Sequence, residues 1–70
     1  MKTVRFVSNQ DEWYVFSDEI GELYYLKMDG SGTKGISKFF FDSFYSSNCI
    51  KILFIERDNK RVITEVVSFK

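Results

Sequence analysis

Three glycines have a spacing that could support ligand chemistry. Gly30, Gly32 and Gly35 stand as G-x-G-x-x-G between an apolar run and a segment with helical periodicity. In a dinucleotide-binding fold such glycines let the backbone approach a pyrophosphate, and a carboxylate about 20 residues further on binds the ribose. Glu56 lies 56 − 35 = 21 residues beyond the last glycine. The local pattern is therefore that of a phosphate cradle.

The length of the chain argues against that chemistry. A dinucleotide crevice forms where a parallel sheet reverses its strand order, and each parallel strand needs its own crossover connection. Only 70 − 56 = 14 residues follow Glu56, and their pattern predicts a tight antiparallel hairpin. In the alternative Walker pattern, Ile36 occupies the lysine position. We interpret the segment as a strand-to-helix loop and expect no cofactor.

Other residue types also point away from catalysis and metal binding. Histidine is absent from the sequence, which removes the usual general base and the commonest transition-metal ligand. Cys49 is the single cysteine, so neither an internal disulfide nor a cysteine-based zinc site can form. The carboxylates cluster around expected turns, where turn chemistry accounts for them. The sequence predicts a non-enzymatic protein with no catalytic residue and no metal.

Charge and hydropathy restrict the partners and the compartment. Ten basic and ten acidic residues cancel, so no long-range field attracts nucleic acid or an anionic membrane. The first residues lack the apolar core of a signal peptide, and the longest apolar run, "ILFI", is too short to cross a bilayer. Together with the free thiol, these features predict a cytoplasmic protein without a membrane partner. A nucleic-acid partner is ranked below a protein.

The pattern of apolar residues along the chain predicts the strands and the helix that would position these side chains. Expected strands cover residues 3–8, a hairpin at 12–28 that turns at Gly21, and a last hairpin at 49–56 and 61–69 around Asp58 and Asn59. Between the hairpins, "SKFFFDSFYSS" carries apolar residues at helical spacing. We predict one α+β domain over residues 1–70. It is a small antiparallel sheet or partly open barrel, in the order β-β-β-α-β-β, with one helix packed on the sheet.

Two resemblances follow from this order. Residues 18–28 have a helical alternative, because Ser17 followed by Asp18 and Glu19 is a good helix start. In that version "WYVFSDEIGEL", a helix from about Thr33 and the last hairpin resemble the winged-helix DNA-binding domains of phage transposases and repressors. In the strand version the order of elements resembles the oligonucleotide-binding (OB) barrel, which implies single-stranded nucleic-acid binding on aromatics of the second and third strands.

Aromatic residues, 19% of the chain, are the most informative feature. The 12–28 hairpin and the fourth strand are apolar on both faces, and one short helix can cover only one face of a sheet. The second face therefore requires closure into a barrel, a homodimer, or an external partner. For the last case large aromatics are the expected contact residues. The candidate partner-binding residues are Trp13, Tyr14, Tyr24, Tyr25 and Phe41.

The functional expectation is a small protein-binding module. Small size, the absence of catalytic groups and the aromatic surplus support it. A composition without alanine, such as AT-rich coding produces, suggests a phage- or mobile-element-encoded inhibitor or regulator of a host protein, acting in the host cytoplasm. The alternative function is nucleic-acid binding, by an OB-like strand face or by the winged-helix variant.

Overall fold

Five strands make up the part of the chain that the structure, a computed structural model, describes: residues 1–28 and 49–68. The strands are β1 (Lys2–Gln10), β2 (Trp13–Ser17), β3 (Leu23–Lys27), β4 (Ile50–Arg57) and β5 (Lys60–Ser68). They fall where the sequence predicted strands. The prediction that the chain forms a strand pair, not a helix, after Ser17 is confirmed.

The five strands form one closed barrel in the order β1-β2-β3-β5-β4. β1 pairs with β2 on one side and with β4 on the other, and this second pairing closes the sheet. Every pairing is antiparallel except that of β3 with β5, which are parallel at Tyr25 and Val62. Closure leaves no strand of the barrel with an unpaired edge.

The α+β prediction is wrong for the described residues, which are all-β and contain no helix. The sheet is also mixed, not purely antiparallel. The physical reason is closure, because a sheet that curls into a barrel buries its own inner face and needs no helix to cover it. The helix predicted over residues 37–47 lies outside the described residues, as does the glycine-rich loop.

The interior of the barrel is built from alternating residues of all five strands. Phe6 and Phe54 pack against the core, and their rings meet Phe16 and Tyr24 edge to face at 5.8 and 4.9 Å between centroids. The buried core residues, each 7% exposed or less, are Val4, Tyr14, Phe16, Tyr24, Leu26, Ile50, Ile52, Ile63 and Val66. Register shifts in β1 and in the β4–β5 pair supply the local bends that so small a barrel requires.

The tight turns have the residues their backbone conformations demand. Asp58 and Asn59 join β4 to β5 with φ values of 53° and 64°, the two positive values of a type I′ hairpin turn. Gly21, in the β2–β3 turn, has a φ of 92°, which a residue with a Cβ rarely adopts.

Asp18 organises the β2–β3 turn. Its Oδ1 accepts hydrogen bonds from the backbone N–H groups of Ile20 (3.1 Å) and Glu22 (2.9 Å), and its Oδ2 accepts one from the Tyr24 hydroxyl at 2.8 Å. The Lys2 ammonium is 3.9 Å from the same oxygen. The turn is thereby tied to a core tyrosine and to the first strand.

These contacts shift the pKa values of Asp18 and Tyr24. Burial raises the pKa of the Asp18 carboxyl. The hydrogen bonds from Glu22, Tyr24 and Ile20 and the charge of Lys2 lower it by more, so the net pKa lies below its ordinary value. Burial, together with the hydrogen bond to the Asp18 carboxylate, raises the pKa of Tyr24 to about 12.

Tyr24→Phe is expected to lower the free energy of unfolding by about 1 kcal/mol near neutral pH, since one internal hydrogen bond is lost. The Tyr24 contribution is present below its unfolded pKa of 10.0 and is lost as pH rises towards about 12. The Asp18 contribution is present above its ordinary pKa of 3.8 and is lost as pH falls through its lower folded value. Urea unfolding across pH measures both changes.

Tyr25→Phe is the matched control. It removes a hydroxyl from the next residue of β3, which lies on the outer face of the barrel. The difference in stability between the wild type and Tyr24→Phe should shrink at both ends of the pH range. A difference that stays constant from acid to alkaline pH would contradict the Asp18 to Tyr24 linkage.

Candidate functional site

The structure divides the aromatic residues that the sequence singled out. Tyr14 and Tyr24 point into the barrel, where they are 7% and 1% exposed. Trp13 and Tyr25 alternate with them, so they lie on the outer face and are partly exposed. Phe41 lies outside the described residues. The partner-binding role of the set stays a prediction, and Trp13 and Tyr25 are the accessible members among the described residues.

Trp13 and Tyr25 form a ring pair on the outside of β2 and β3. Their centroids are 6.1 Å apart and their planes are inclined by 81°, an edge-to-face arrangement that aromatic rings favour. Val15 shares this face, pairs with Tyr25 across the two strands, and is 1% exposed. The rings therefore lie beside one buried apolar side chain.

A lysine ammonium lies over each ring. Lys27 pairs with Trp13 across β2 and β3, and its Nζ is 4.7 Å from the centroid of the indole ring. Lys60 is the first residue of β5, and its Nζ is 5.4 Å from the Tyr25 ring. The parallel pairing of β3 with β5 brings this second cation to the site. We call Trp13, Tyr25, Lys27 and Lys60 the aromatic face.

A surface groove continues from the aromatic face across β5 to β4. Besides Trp13 and Lys27, it has Arg57 as a further cation and aliphatic side chains beside it. The described residues that line the groove are Trp13, Lys27, Ile55, Arg57, Val62, Ile63 and Thr64. This part of the lining contains two cations, one indole and no carboxylate. Such a surface suits a ligand that is flat, apolar on its faces and negatively charged along its backbone.

One carboxylate borders this surface, and a second pairs with a cation beside Tyr24. Glu12 lies 2.8 Å from the Lys27 ammonium, and Glu22 lies 2.9 Å from the Arg61 guanidinium, whose Cζ is 5.7 Å from the centroid of the Tyr24 ring. Glu12 and Glu22 are both exposed, and exposed ion pairs contribute only about 0–1 kcal/mol. Lys27 can therefore exchange Glu12 for another anion at little cost.

Sequence reasoning did not single out Lys27, Lys60 or Arg57. Lys27 could have been found, because it lies two residues from Tyr25 and so shares its face of the strand. Lys60 comes to Tyr25 only through the pairing of β3 with β5, and no local pattern shows this pairing.

Among the described residues, no three His, Cys, Asp or Glu side chains lie together in a way that could hold a metal ion. Within residues 1–28 and 49–68, no helix is long and apolar enough to cross a membrane.

The strand order gives the barrel a likeness to a known architecture. A five-stranded Greek-key barrel, with the outer face of its second and third strands as the binding surface, is the plan of the OB fold. Comparison with protein families, with curated proteins and with solved structures finds no match to this chain. The likeness therefore rests on the strand order, and function has to be argued from the site.

Proposed function

We propose that this protein is a non-enzymatic module that binds single-stranded nucleic acid on the aromatic face. The observation that carries the proposal is the pair of partly exposed rings, Trp13 and Tyr25, each with a lysine ammonium over it. Bases stack on such rings with about 1–3 kcal/mol each, whatever their sequence. The lysines are placed to leave the rings and contact the phosphates that flank the stacked bases.

The formal charge of zero does not oppose this function, because three cations lie at the rings and the adjoining groove. Lys27, Lys60 and Arg57 surround the aromatic face and its groove. Three phosphate contacts on a single strand correspond to a salt slope of about −2 in the logarithm of affinity. Raising the salt from about 50 to 200 mM should then weaken binding roughly 20-fold. The electrostatic attraction should therefore act only at short range, and the affinity should depend moderately on salt concentration.

Fluorescence of Trp13, the single tryptophan, provides a direct test because it reports on the site alone. A mixed-sequence DNA strand should quench this fluorescence at low salt. Lys27→Gln and Lys60→Gln should each weaken binding and reduce the salt slope by about 0.7. Lys51→Gln is the matched control, since Lys51 is an exposed lysine of β4 that lies over neither ring and does not line the groove. Absence of quenching at low salt, or equal effects of all three substitutions, would refute the proposal.

A second candidate function is the binding of a host protein. Two successive outward residues of β4, Leu53 and Ile55, are 41% and 43% exposed, and such aliphatic surface suits a protein contact or a homodimer. In this version the chain is a phage- or mobile-element-encoded inhibitor that acts in the host cytoplasm, where its free Cys49 would stay reduced. A stoichiometric protein that co-purifies with the tagged chain after nuclease treatment would favour this candidate over the first.

A further inference from the structure

We infer, on the basis of the proposed function, that the aromatic face takes a strand whose bases are not stacked on one another. It should therefore favour pyrimidine-rich single strands over adenine-rich strands and over duplex. The observation is the inclination of 81° between the Trp13 and Tyr25 rings, whose centroids are 6.1 Å apart. Consecutive bases of a stacked strand are parallel and about 3.4 Å apart. Such a strand cannot lay neighbouring bases flat on both rings.

A strand that uses both rings must turn by nearly a right angle between them. The turn separates the two bases, so the ligand loses their mutual stacking and gains stacking on the protein. Adenines stack on one another more strongly than thymines or uracils do, so an adenine-rich strand loses more. In a duplex both faces of each base are already covered, and the bases would also have to unpair.

The positions of the rings are set before the ligand arrives. Trp13 and Tyr25 lie on neighbouring strands of a closed barrel, beside the buried Val15. Their separation is within the range in which an edge-to-face pair is favourable, so turning them parallel would give up that contact. Each ring has its cation nearby, so a phosphate on either side of the turn can be neutralised. The ligand, not the protein, has to change its conformation.

The test uses the whole chain and equal-length oligothymidylate, oligouridylate and oligoadenylate, with a mixed-sequence duplex as a fourth probe. Quenching of Trp13 fluorescence measures each affinity. We expect oligothymidylate to bind about five- to tenfold more tightly than oligoadenylate, which is the order of the difference in stacking free energy between strongly and weakly stacked steps, and the duplex to bind most weakly. The uridylate arm distinguishes DNA from RNA as the source of the same base-and-phosphate chemistry.

Variants at Tyr25 separate ring geometry from general affinity. Tyr25→Leu leaves one ring, so the strand no longer has to turn, and the preference for thymidylate over adenylate should fall below about twofold while weaker binding persists. Tyr25→Phe keeps the ring and should keep the preference. Thermal unfolding of each variant shows whether it is folded, and the wild-type comparison decides the question even where Tyr25→Leu does not fold.

The outcomes distinguish this inference from the function on which it rests. Equal or tighter binding of oligoadenylate by the wild-type chain would overturn the inference and leave single-strand binding intact. A preference that survives in a folded Tyr25→Leu variant would also overturn it, because the geometry of the two rings could not then be the cause. Absence of quenching by every strand at low salt would overturn both proposals.

Discussion

Replacing Phe16 by alanine is expected to remove roughly half of the free energy of unfolding. Phe16 is 0% exposed, lies in the core of the barrel, and pairs with Phe6 on one side and Tyr24 on the other. Truncating a buried phenylalanine costs about 3–5 kcal/mol. A domain of this length has a total stability of only about 4–10 kcal/mol. Urea unfolding followed by far-UV circular dichroism measures the loss.

Leu53→Ala provides the contrast, because Leu53 is an apolar strand residue that is 41% exposed. Its truncation is expected to change the free energy of unfolding by no more than about 0.5 kcal/mol. If Phe16→Ala cost as little as Leu53→Ala, the inward face assigned to β2 would be wrong. The aromatic face, whose Trp13 lies on the opposite side of the same strand, would then be wrong as well.

The strands themselves were predictable because their signals are local. Alternation of apolar and polar residues marks β1, and the dipeptide Asp58-Asn59 marks the turn between β4 and β5. Gly21 marks the turn between β2 and β3 in the same way. Each of these signals involves residues that are neighbours in sequence, so no knowledge of the rest of the fold is needed to read them.

The closure of the sheet was not predictable from such signals. It depends on the pairing of β1 with β4 and on the parallel contact between Tyr25 and Val62, which join residues far apart in the chain. Without these pairings, the two-sided apolar pattern of the hairpin left three alternatives open: a closed barrel, a homodimer, or an external partner. An inner barrel face and an outer aromatic face produce the same pattern, because both place large apolar residues at successive positions.

The candidate site was predictable only in part, for the same reason. Alternation shows that Trp13 and Tyr14 face opposite ways, but it does not show which of them faces the interior. The core decides this, because the long-range packing of Tyr24 and its neighbours determines which side is buried. The formal charge of zero also says nothing about where the charges lie. A sum over the chain cannot reveal that Lys27 and Lys60 lie over two neighbouring rings.

Trp13→Leu is expected to weaken binding of oligothymidylate by about 5- to 150-fold, the range that corresponds to one lost base-stacking contact. Leucine keeps an apolar side chain beside Val15 but offers no flat surface for a base. Trp13 is partly exposed and is not a member of the inner core, so its replacement should leave the barrel folded. The substitution removes the fluorescent reporter, so anisotropy of a dye-labelled strand is the appropriate measurement.

Two further variants make this result specific. Trp13→Phe keeps a smaller ring and should recover part of the lost affinity, since stacking depends on an aromatic face rather than on the indole N–H. Leu53→Ala, on the outer face of β4, should bind the strand as the wild type does, because Leu53 does not line the groove. The opposite pattern, with Leu53→Ala impaired and Trp13→Leu unaffected, would place the binding surface on β4. The exposed aliphatic residues there, which support the protein-binding candidate, would then be the contact surface.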